Sequence, residues 1–169
     1  LAIETPYRNA ALLQALVRGE DRRFWEHAGV DWAALAAAAW RGAWDGRTRG
    51  ASTLTMQLAA LLDADLRRPA GGRDLLDKAD QMATALALER RWSKSQILEA
   101  YLNLVGWRGE TVGIGALAQT LFDKQPHGLD TLEAAIAAAL VRGPNADVAT
   151  VVRRACALLP DRRPPVAPP

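Results

Sequence analysis

"SKSQILEAYLNLVG", residues 93–106, is the stretch that most directly indicates the fold class. Its first four residues form a capping box, because the side chains of Ser93 and Gln96 can each accept a hydrogen bond from the other residue's backbone N–H. A helix is therefore predicted to begin directly after Ser93. The preceding stretch, residues 73–92, places Leu75, Ala79 and Met82 on one helical face. Two consecutive helical patterns with no strand pattern between them favour a mainly α fold.

Other parts of the chain carry the same kind of signal. Further helix starts are predicted at Thr5-Pro6, at Asp31, at Asp130 with Glu133, and at Asp147. The first helix is expected to continue until Gly29, since glycine commonly ends helices. No convincing strand and no internal repeat is found. The sequence thus predicts one mainly α domain over residues 1–158 and a proline-rich tail or linker over residues 159–169.

The bulk composition narrows the function only slightly. Half of the 169 residues are apolar and the net charge is +2, so the charge balance does not indicate a nucleic-acid partner. Paired arginines such as Arg22–Arg23 and Arg153–Arg154 suit phosphate groups, although solvated arginines are commoner. The single cysteine, Cys156, excludes an internal disulfide and is expected to be buried. No run of about eighteen apolar residues is present, so no membrane-spanning segment is expected within this sequence.

"GEDRRFWEHAGVD", residues 19–31, combines an acid, an aromatic ring and an imidazole. If the helix continues, Glu20, Phe24 and His27 stand at i, i+4 and i+7 and share one face. A carboxylate partly withdrawn from water beside Phe24 and Trp25 would suit general-base catalysis. The alternative is that Glu20 pairs with Arg23 and that His27 only helps to finish the helix.

"GASTLTMQ", residues 50–57, brings hydroxyl residues to a predicted helix start. Ser52, Thr53 and free backbone N–H groups would suit a phosphate or diphosphate, and Gln57 could add a neutral hydrogen bond. The alternative is plain capping by Ser52. Farther along, Lys78 and Gln81 at i, i+3 point the same way, and Lys78 either holds a phosphate or is simply solvated.

Residues 32–44 are rich in alanine and tryptophan and almost free of charge. Trp40 and Trp44 stand at i, i+4 and are predicted to stack. The segment is either buried or lies in a membrane interface, where tryptophan is enriched. The arginines that follow the segment favour the membrane-interface alternative.

The order of these motifs resembles a known family. The blocks "EDRRFWEH" to "GVD", "GASTLTMQ", "ALALERRWSKSQILEAYLN", "GIGALAQTLFDK" and "LDTLEAAIAAALVRGPNA" are similar to the peptidoglycan glycosyltransferase domain of class A penicillin-binding proteins, glycosyltransferase family 51. The second block looks most like the 1C branch of that family. The resemblance implies a lysozyme-like helical fold with a membrane-associating jaw at about residues 30–50, in which Trp40 and Trp44 contact the membrane.

The resemblance also implies a reaction, the polymerisation of lipid II into glycan strands. Glu20 would act as the general base toward the acceptor's 4-hydroxyl, and the donor's lipid diphosphate would leave with inversion. No obligatory cofactor is implied, although Mg²⁺ or Mn²⁺ beside the leaving diphosphate is compatible with the family. The positions that match the family's substrate contacts are Asp21, Phe24, His27, Ser52, Thr53, Gln57, Lys78, Gln81 and Lys124.

By the same resemblance, the expected location is the periplasmic face of the bacterial inner membrane. The expected partners are lipid II, the growing glycan strand, the membrane surface and a transpeptidase domain elsewhere in the full-length protein.

The sequence departs from the family pattern at three positions that concern charge. Gln81 stands where the family has a glutamate, Asp77 where it has an arginine, and Ala60 where it has a basic residue. Each lost charge-assisted contact would remove about 1.5–3 kcal/mol of binding free energy. Two alternatives therefore stand beside the polymerase, namely a weak or inactive scaffold that binds lipid II or glycan, and a glycan hydrolase on the same fold.

Overall fold

A computed structural model describes residues 9–45, 52–63, 75–107 and 110–159. Across these ranges the chain forms eight α-helices and one 3₁₀ turn, and its only β-pairing is an isolated bridge between Gly106 and Val112. The helices are α1 (Ala10–Glu20), α2 (Trp32–Asp45), α3 (Leu54–Leu62), α4 (Leu75–Glu89), α5 (Lys94–Leu104), α6 (Ile114–Phe122), α7 (Thr131–Val141) and α8 (Val148–Leu158), with the 3₁₀ turn at Pro126–Gly128. The prediction of a mainly α fold is confirmed.

The main core forms where α1, α3, α5, α6 and α7 meet. Its fully buried side chains include Leu16 of α1, Leu58 of α3, Ile97 of α5 and Ile114 of α6. Burying each such side chain contributes roughly 1.5–3 kcal/mol to the free energy of folding. This core fixes the C-terminal end of α1 against α3 and α5, which is where the candidate site lies.

Helix α7 is buried on most of its surface because it is built largely from alanine. It packs against α1 on one side and α8 on the other, with Ala135 and Ala139 buried against Ala155. Small side chains allow the three helices to approach closely. Helix α8 itself lies at the surface, so Cys156, the residue after Ala155, is exposed, and the prediction of a buried thiol is wrong.

Several helix starts agree with the sequence signals. Ser93 and Asp130 each complete a capping box with the residue three positions later, and Asp147 caps α8 through the N–H of Thr150. Asp31 accepts from the N–H of Ala34 at the start of α2. Helix α1 has Asn9 as its N-cap. The predicted start at Thr5-Pro6 lies outside the described residues, as do residues 46–50 of the predicted jaw and residues 160–169 of the predicted tail.

The first helix ends much earlier than predicted. It stops at Glu20, and residues 22–29 form turns instead of two further helical turns. The prediction that Glu20, Phe24 and His27 share one helical face is therefore wrong. Asp21, the residue after the helix, directs its carboxylate to the N–H of Leu54 instead and thereby ties the chain to α3.

Gly29 closes the turn segment against α4. Its φ is +93°, and an added Cβ would lie 2.7 Å from the carbonyl oxygen of Ala85. Only glycine fits there, both because the left-handed region is unfavourable for other residues and because there is no space. None of the described helices combines the length and the apolar character needed to cross a lipid bilayer.

Candidate active site

Glu20 is the last residue of α1, and its carboxylate is half-buried. Its Oε2 accepts a hydrogen bond of 3.2 Å from Nε2 of Gln57, which lies one turn into α3. Its Oε1 is buried and receives no hydrogen bond from the described residues. Buried polar atoms in native proteins are nearly always satisfied, so an unsatisfied acceptor of this kind marks a place where a ligand donor can bind.

Tyr101 of α5 holds Gln57 in the orientation that Glu20 needs. The Tyr101 hydroxyl donates to Gln57 Oε1 over 2.7 Å, which leaves the amide NH₂ to face the carboxylate. The arrangement is chemically consistent, since an ionised carboxylate only accepts and a tyrosine hydroxyl can donate. Burial and the nearby charge of Glu20 raise the pKa of Tyr101, so its proton stays in place at neutral pH.

Asp21 joins the end of α1 to the start of α3. Its carboxylate accepts from the N–H of Leu54 over 2.9 Å and lies 3.0 Å from Nε2 of His27. The aspartate is buried, with 6% of its surface exposed. Negative charge at the first turn of a helix is favourable, because the free N–H groups there carry partial positive charge. Asp21 and His27 thus contact each other in the segment that directly follows Glu20.

Phe24 packs beneath this turn and is fully buried. The ammonium of Lys94 lies 4.3 Å from the centre of the Phe24 ring, donates to the carbonyl of His27 and pairs with Glu89 over 2.7 Å. Glu89 also accepts from the hydroxyl of Thr55. The sequence signal at Lys94 predicts only a place in the first turn of α5, because its partners Phe24, His27 and Glu89 lie in other segments.

The two hydroxyl residues before α3, Ser52 and Thr53, make different contacts. Thr53 is the N-cap, accepting from the N–H of Met56 and donating to the carbonyl of Gly29. The predicted alternative of capping by Ser52 is therefore wrong: Thr53 is the cap, and the Ser52 hydroxyl accepts from Lys78 Nζ over 2.8 Å. The predicted free N–H groups are also partly used, since Leu54 donates to Asp21 and Met56 to Thr53.

Lys78 and Gln81 point toward the same place, as the i, i+3 spacing predicted. The Lys78 ammonium lies 3.5 Å from Gln81 Oε1, while the Gln81 amide donates to the carbonyl of Met56. Gln81 is buried, with 1% of its surface exposed. Ser52, Lys78 and Gln81 thus form a connected group on the α3–α4 side of the site.

Lys124 and Trp40 lie apart from these contacts. Lys124 pairs with Glu133 over 2.7 Å, which raises the pKa of the lysine, and Glu133 also belongs to the capping box of α7. Trp40 of α2 is 69% exposed, whereas the side chain of Trp44 lies outside the described residues, so the predicted stacking of the pair stays a prediction.

A divalent ion beside the leaving diphosphate stays a prediction. No three His, Cys, Asp or Glu side chains within the described ranges converge as metal ligands. The positive charge next to Ser52 comes from the ammonium of Lys78, and Gln81, which replaces the family's glutamate, is bonded to a backbone carbonyl.

Comparison with known proteins agrees with this geometry. The model of the transglycosylase family, described as "Transglycosylase", matches residues 6–161. The chain belongs to the transglycosylase family. This is a family of glycosyltransferase enzymes, and the glutamate, hydroxyl and lysine positions described above lie within the matched range.

Individual relatives include a penicillin-binding protein and a biosynthetic peptidoglycan transglycosylase. This transglycosylase domain is 42% identical over 134 residues to penicillin-binding protein 1C of Escherichia coli (strain K12), covering 79% of this chain and 17% of that protein. It is 40% identical over 136 residues to the biosynthetic peptidoglycan transglycosylase of Rhodospirillum centenum, covering 79% of this chain and 56% of the relative. The matches therefore span between about one sixth and just over half of these curated relatives.

Proposed function

We propose that this chain polymerises lipid II into peptidoglycan glycan strands, with Glu20 as the general base. The observation that carries the proposal is the buried Oε1 of Glu20, which has no hydrogen-bond donor among the described residues. A general base must lie within hydrogen-bond reach of the proton that it removes. A substrate hydroxyl is the kind of donor that this atom lacks.

The proposed reaction is a single displacement. The 4-hydroxyl of the acceptor donates to Glu20 Oε1, and its proton passes to the carboxylate as the oxygen attacks the anomeric carbon of the donor. The bond from that carbon to the lipid diphosphate breaks, the diphosphate leaves with the electron pair, and the linkage inverts from α to β. Gln57, held by Tyr101, keeps the other carboxylate oxygen in place during the transfer.

The leaving diphosphate needs a positive or hydrogen-bonding partner, because negative charge develops on it in the transition state. Lys78 is suited to this task, since its ammonium is fixed by Ser52 at the start of α3. The Ser52 hydroxyl could add a second hydrogen bond to a phosphate oxygen. Thr53 would act indirectly by fixing the loop that carries Ser52.

We also propose that the domain works at a membrane surface, on the periplasmic face of the inner membrane, in a longer protein that carries a transpeptidase domain. Lipid II and the growing strand would be its partners. The support is the exposed Trp40 on α2 and the similarity to penicillin-binding proteins. Tryptophan is favoured at the boundary between lipid head groups and acyl chains.

A weakly active or inactive lipid II-binding domain is the second candidate. One observation favours it: Ala60 on α3 and Asp77 on α4 stand where the family has basic residues, and Ala60 is buried. Two fewer cations would weaken the hold on a diphosphate without affecting Glu20.

The deciding experiment supplies fluorescent lipid II in detergent to the purified chain and to the variant Glu20→Gln, with products separated on a gel. We expect long glycan from the parent chain and a rate at least about 10²-fold lower from the variant. The matched control is Glu26→Gln, which alters an exposed glutamate in the same turn segment and should retain activity. Binding without polymer would favour the inactive candidate, and shortening of preformed glycan would favour a hydrolase.

A further inference from the structure

A strongly basic cavity adjoins Glu20. Its volume is about 250 Å³, and it lies between the ends of α1 and α7 and the C-terminal half of α8. Four arginines line it: Arg18, Arg22, Arg142 and Arg154. Its lining therefore comes from the α1–α7–α8 side of Glu20, whereas Ser52 and Lys78 belong to the α3–α4 side.

Among the described residues, none of these four guanidinium groups forms an ion pair with a carboxylate. The ion pairs in the described part of the chain involve Arg23, His27, Lys94 and Lys124, and none of them involves a cavity arginine. Arg18 and Arg22 each donate one long hydrogen bond, of 3.4 Å, to a backbone carbonyl. Glu20 is the one acidic residue in the lining.

Arg154 adds a second observation that points to a ligand. Its Nη1 is buried and donates no hydrogen bond to any described residue, which is costly for a charged group. The Nη1 atom lies so close to Gly143 that an added Cβ there would be 2.8 Å from it. Arg154 therefore brings a buried donor that lacks a partner among the described residues to this group of arginines.

The cavity floor leaves room for a group between the arginines. Ala138 and Ala139 of α7 contribute only methyl groups there, so the arginines surround open space. Like charges held close together repel, and an anion between them removes that repulsion. Guanidinium groups match the two oxygens of a carboxylate or a phosphate in a paired geometry.

We propose that this arginine cavity binds an oxyanion group of the substrate, a phosphate or a carboxylate, next to Glu20. This rests on the proposed function, because lipid II carries both a diphosphate and peptide carboxylates. Since Glu20 lines the same cavity, the bound oxyanion holds the substrate beside the carboxylate that acts as the base. The site is separate from the group formed by Ser52, Lys78 and Gln81. Its arginines supply positive charge in place of the two basic residues that Ala60 and Asp77 replace.

The first test measures binding without turnover. Inorganic pyrophosphate is titrated by calorimetry into the parent chain and into the double variant Arg18→Gln/Arg142→Gln, whose altered residues are both exposed. The matched control is Arg153→Gln, next to Arg154 on α8 but outside the cavity lining. This measurement stays informative even if the chain has no polymerase activity, so failure of the two proposals can be told apart.

The second test identifies the group. The KM for lipid II is compared with the KM for lipid II whose peptide carboxylates are amidated, in the parent chain and in the double variant. A carboxylate ligand predicts that amidation raises the parent KM about tenfold or more and has no further effect in the variant. A phosphate ligand predicts that amidation has no effect, while the variant loses pyrophosphate affinity by a similar factor.

The proposal is overturned if the double variant matches the parent chain and Arg153→Gln in both pyrophosphate affinity and KM. Thermal unfolding of each protein confirms that it is folded before it is measured. Arg22→Gln, in the exposed turn after α1, provides an independent variant that removes one cavity charge without touching a helix. Arg22→Gln should change pyrophosphate affinity or KM in the same direction as the double variant, by a smaller factor.

Discussion

The hydroxyl of Tyr101 donates to the amide oxygen of Gln57 over 2.7 Å, and this contact decides which end of the amide faces Glu20. Without it, Gln57 could turn its oxygen toward the carboxylate and repel it. We expect Tyr101→Phe to lower kcat for lipid II polymerisation by about 3- to 10-fold, in line with the loss of one hydrogen bond.

The split between kcat and KM separates positioning from simple destabilisation. A variant that was merely less stable would lose folded protein, which thermal unfolding detects, whereas a positioning role lowers kcat of the folded protein and leaves KM nearly unchanged. An unchanged kcat in folded Tyr101→Phe would show that Gln57 keeps its orientation without the tyrosine.

The ammonium of Lys78 lies 2.8 Å from the Ser52 hydroxyl, and we expect this pair to contact the leaving diphosphate. Lys78→Met keeps much of the side-chain bulk but removes the charge. It should reduce kcat/KM by about 10- to 100-fold, because a charge-assisted hydrogen bond contributes about 1.5–3 kcal/mol. Arg90→Met, at an exposed position after the same helix, is the control and should leave kcat/KM unchanged. Equal kinetics for the two variants would contradict the assignment of Lys78.

Asp31 makes the stability of the chain sensitive to acid. Hydrogen bonds from Arg23, and then from the N–H of Ala34, lower the pKa of Asp31 below its ordinary value of 3.8. The folded state therefore holds the carboxylate ionised more strongly than the unfolded state does. Its contribution is fully present above the ordinary pKa of 3.8 and is lost as the pH falls from there through the lowered pKa of the folded state.

The matched variant is Asp31→Asn, because asparagine still caps a helix but cannot pair with Arg23. At pH 7 the variant should unfold at lower urea concentration than the parent chain. That difference should narrow as the pH is lowered below about 4, in urea unfolding series followed by circular dichroism. Glu110→Gln, at an exposed loop position, should show no such narrowing. A difference that is constant with pH would mean that the ion pair does not contribute.

Trp40 is expected to insert into lipid because it is largely exposed on α2. We expect Trp40→Ser to lower the fraction of protein that floats with phosphatidylglycerol vesicles, with a partition coefficient reduced roughly 3- to 10-fold. Val148→Ser changes another exposed apolar residue, on α8, and should leave flotation unchanged. Equal losses for both variants would indicate a general effect of surface hydrophobicity, and no loss for Trp40→Ser would place the membrane contact elsewhere.

Local signals in the sequence predicted the helix starts well. The caps at Asp31, Ser93, Asp130 and Asp147 all depend on a side chain and a backbone N–H within three residues, so a short stretch contains the whole interaction. The end of α1 could not be predicted in this way. It depends on a bond from Leu54 to Asp21, thirty-three residues apart, which periodicity does not reveal.

The candidate site likewise combines features that the sequence predicts with contacts that depend on distant parts of the chain. The order of the motifs predicted Glu20, Gln57, Ser52 and Lys78 as one site, and the contacts bring them together as the pairs Glu20–Gln57 and Ser52–Lys78. Tyr101 and Lys94 were missed, although both stand inside a quoted motif. Their roles depend on partners in other helices, and no spacing rule within α5 indicates them.

Gly29 joins three segments through its backbone alone: its carbonyl receives the Thr53 hydroxyl, and its α-carbon lies against Ala85. Evolutionary drift at position 29 is therefore closed for a purely steric reason, because any side chain there would push the turn after Glu20 away from α4.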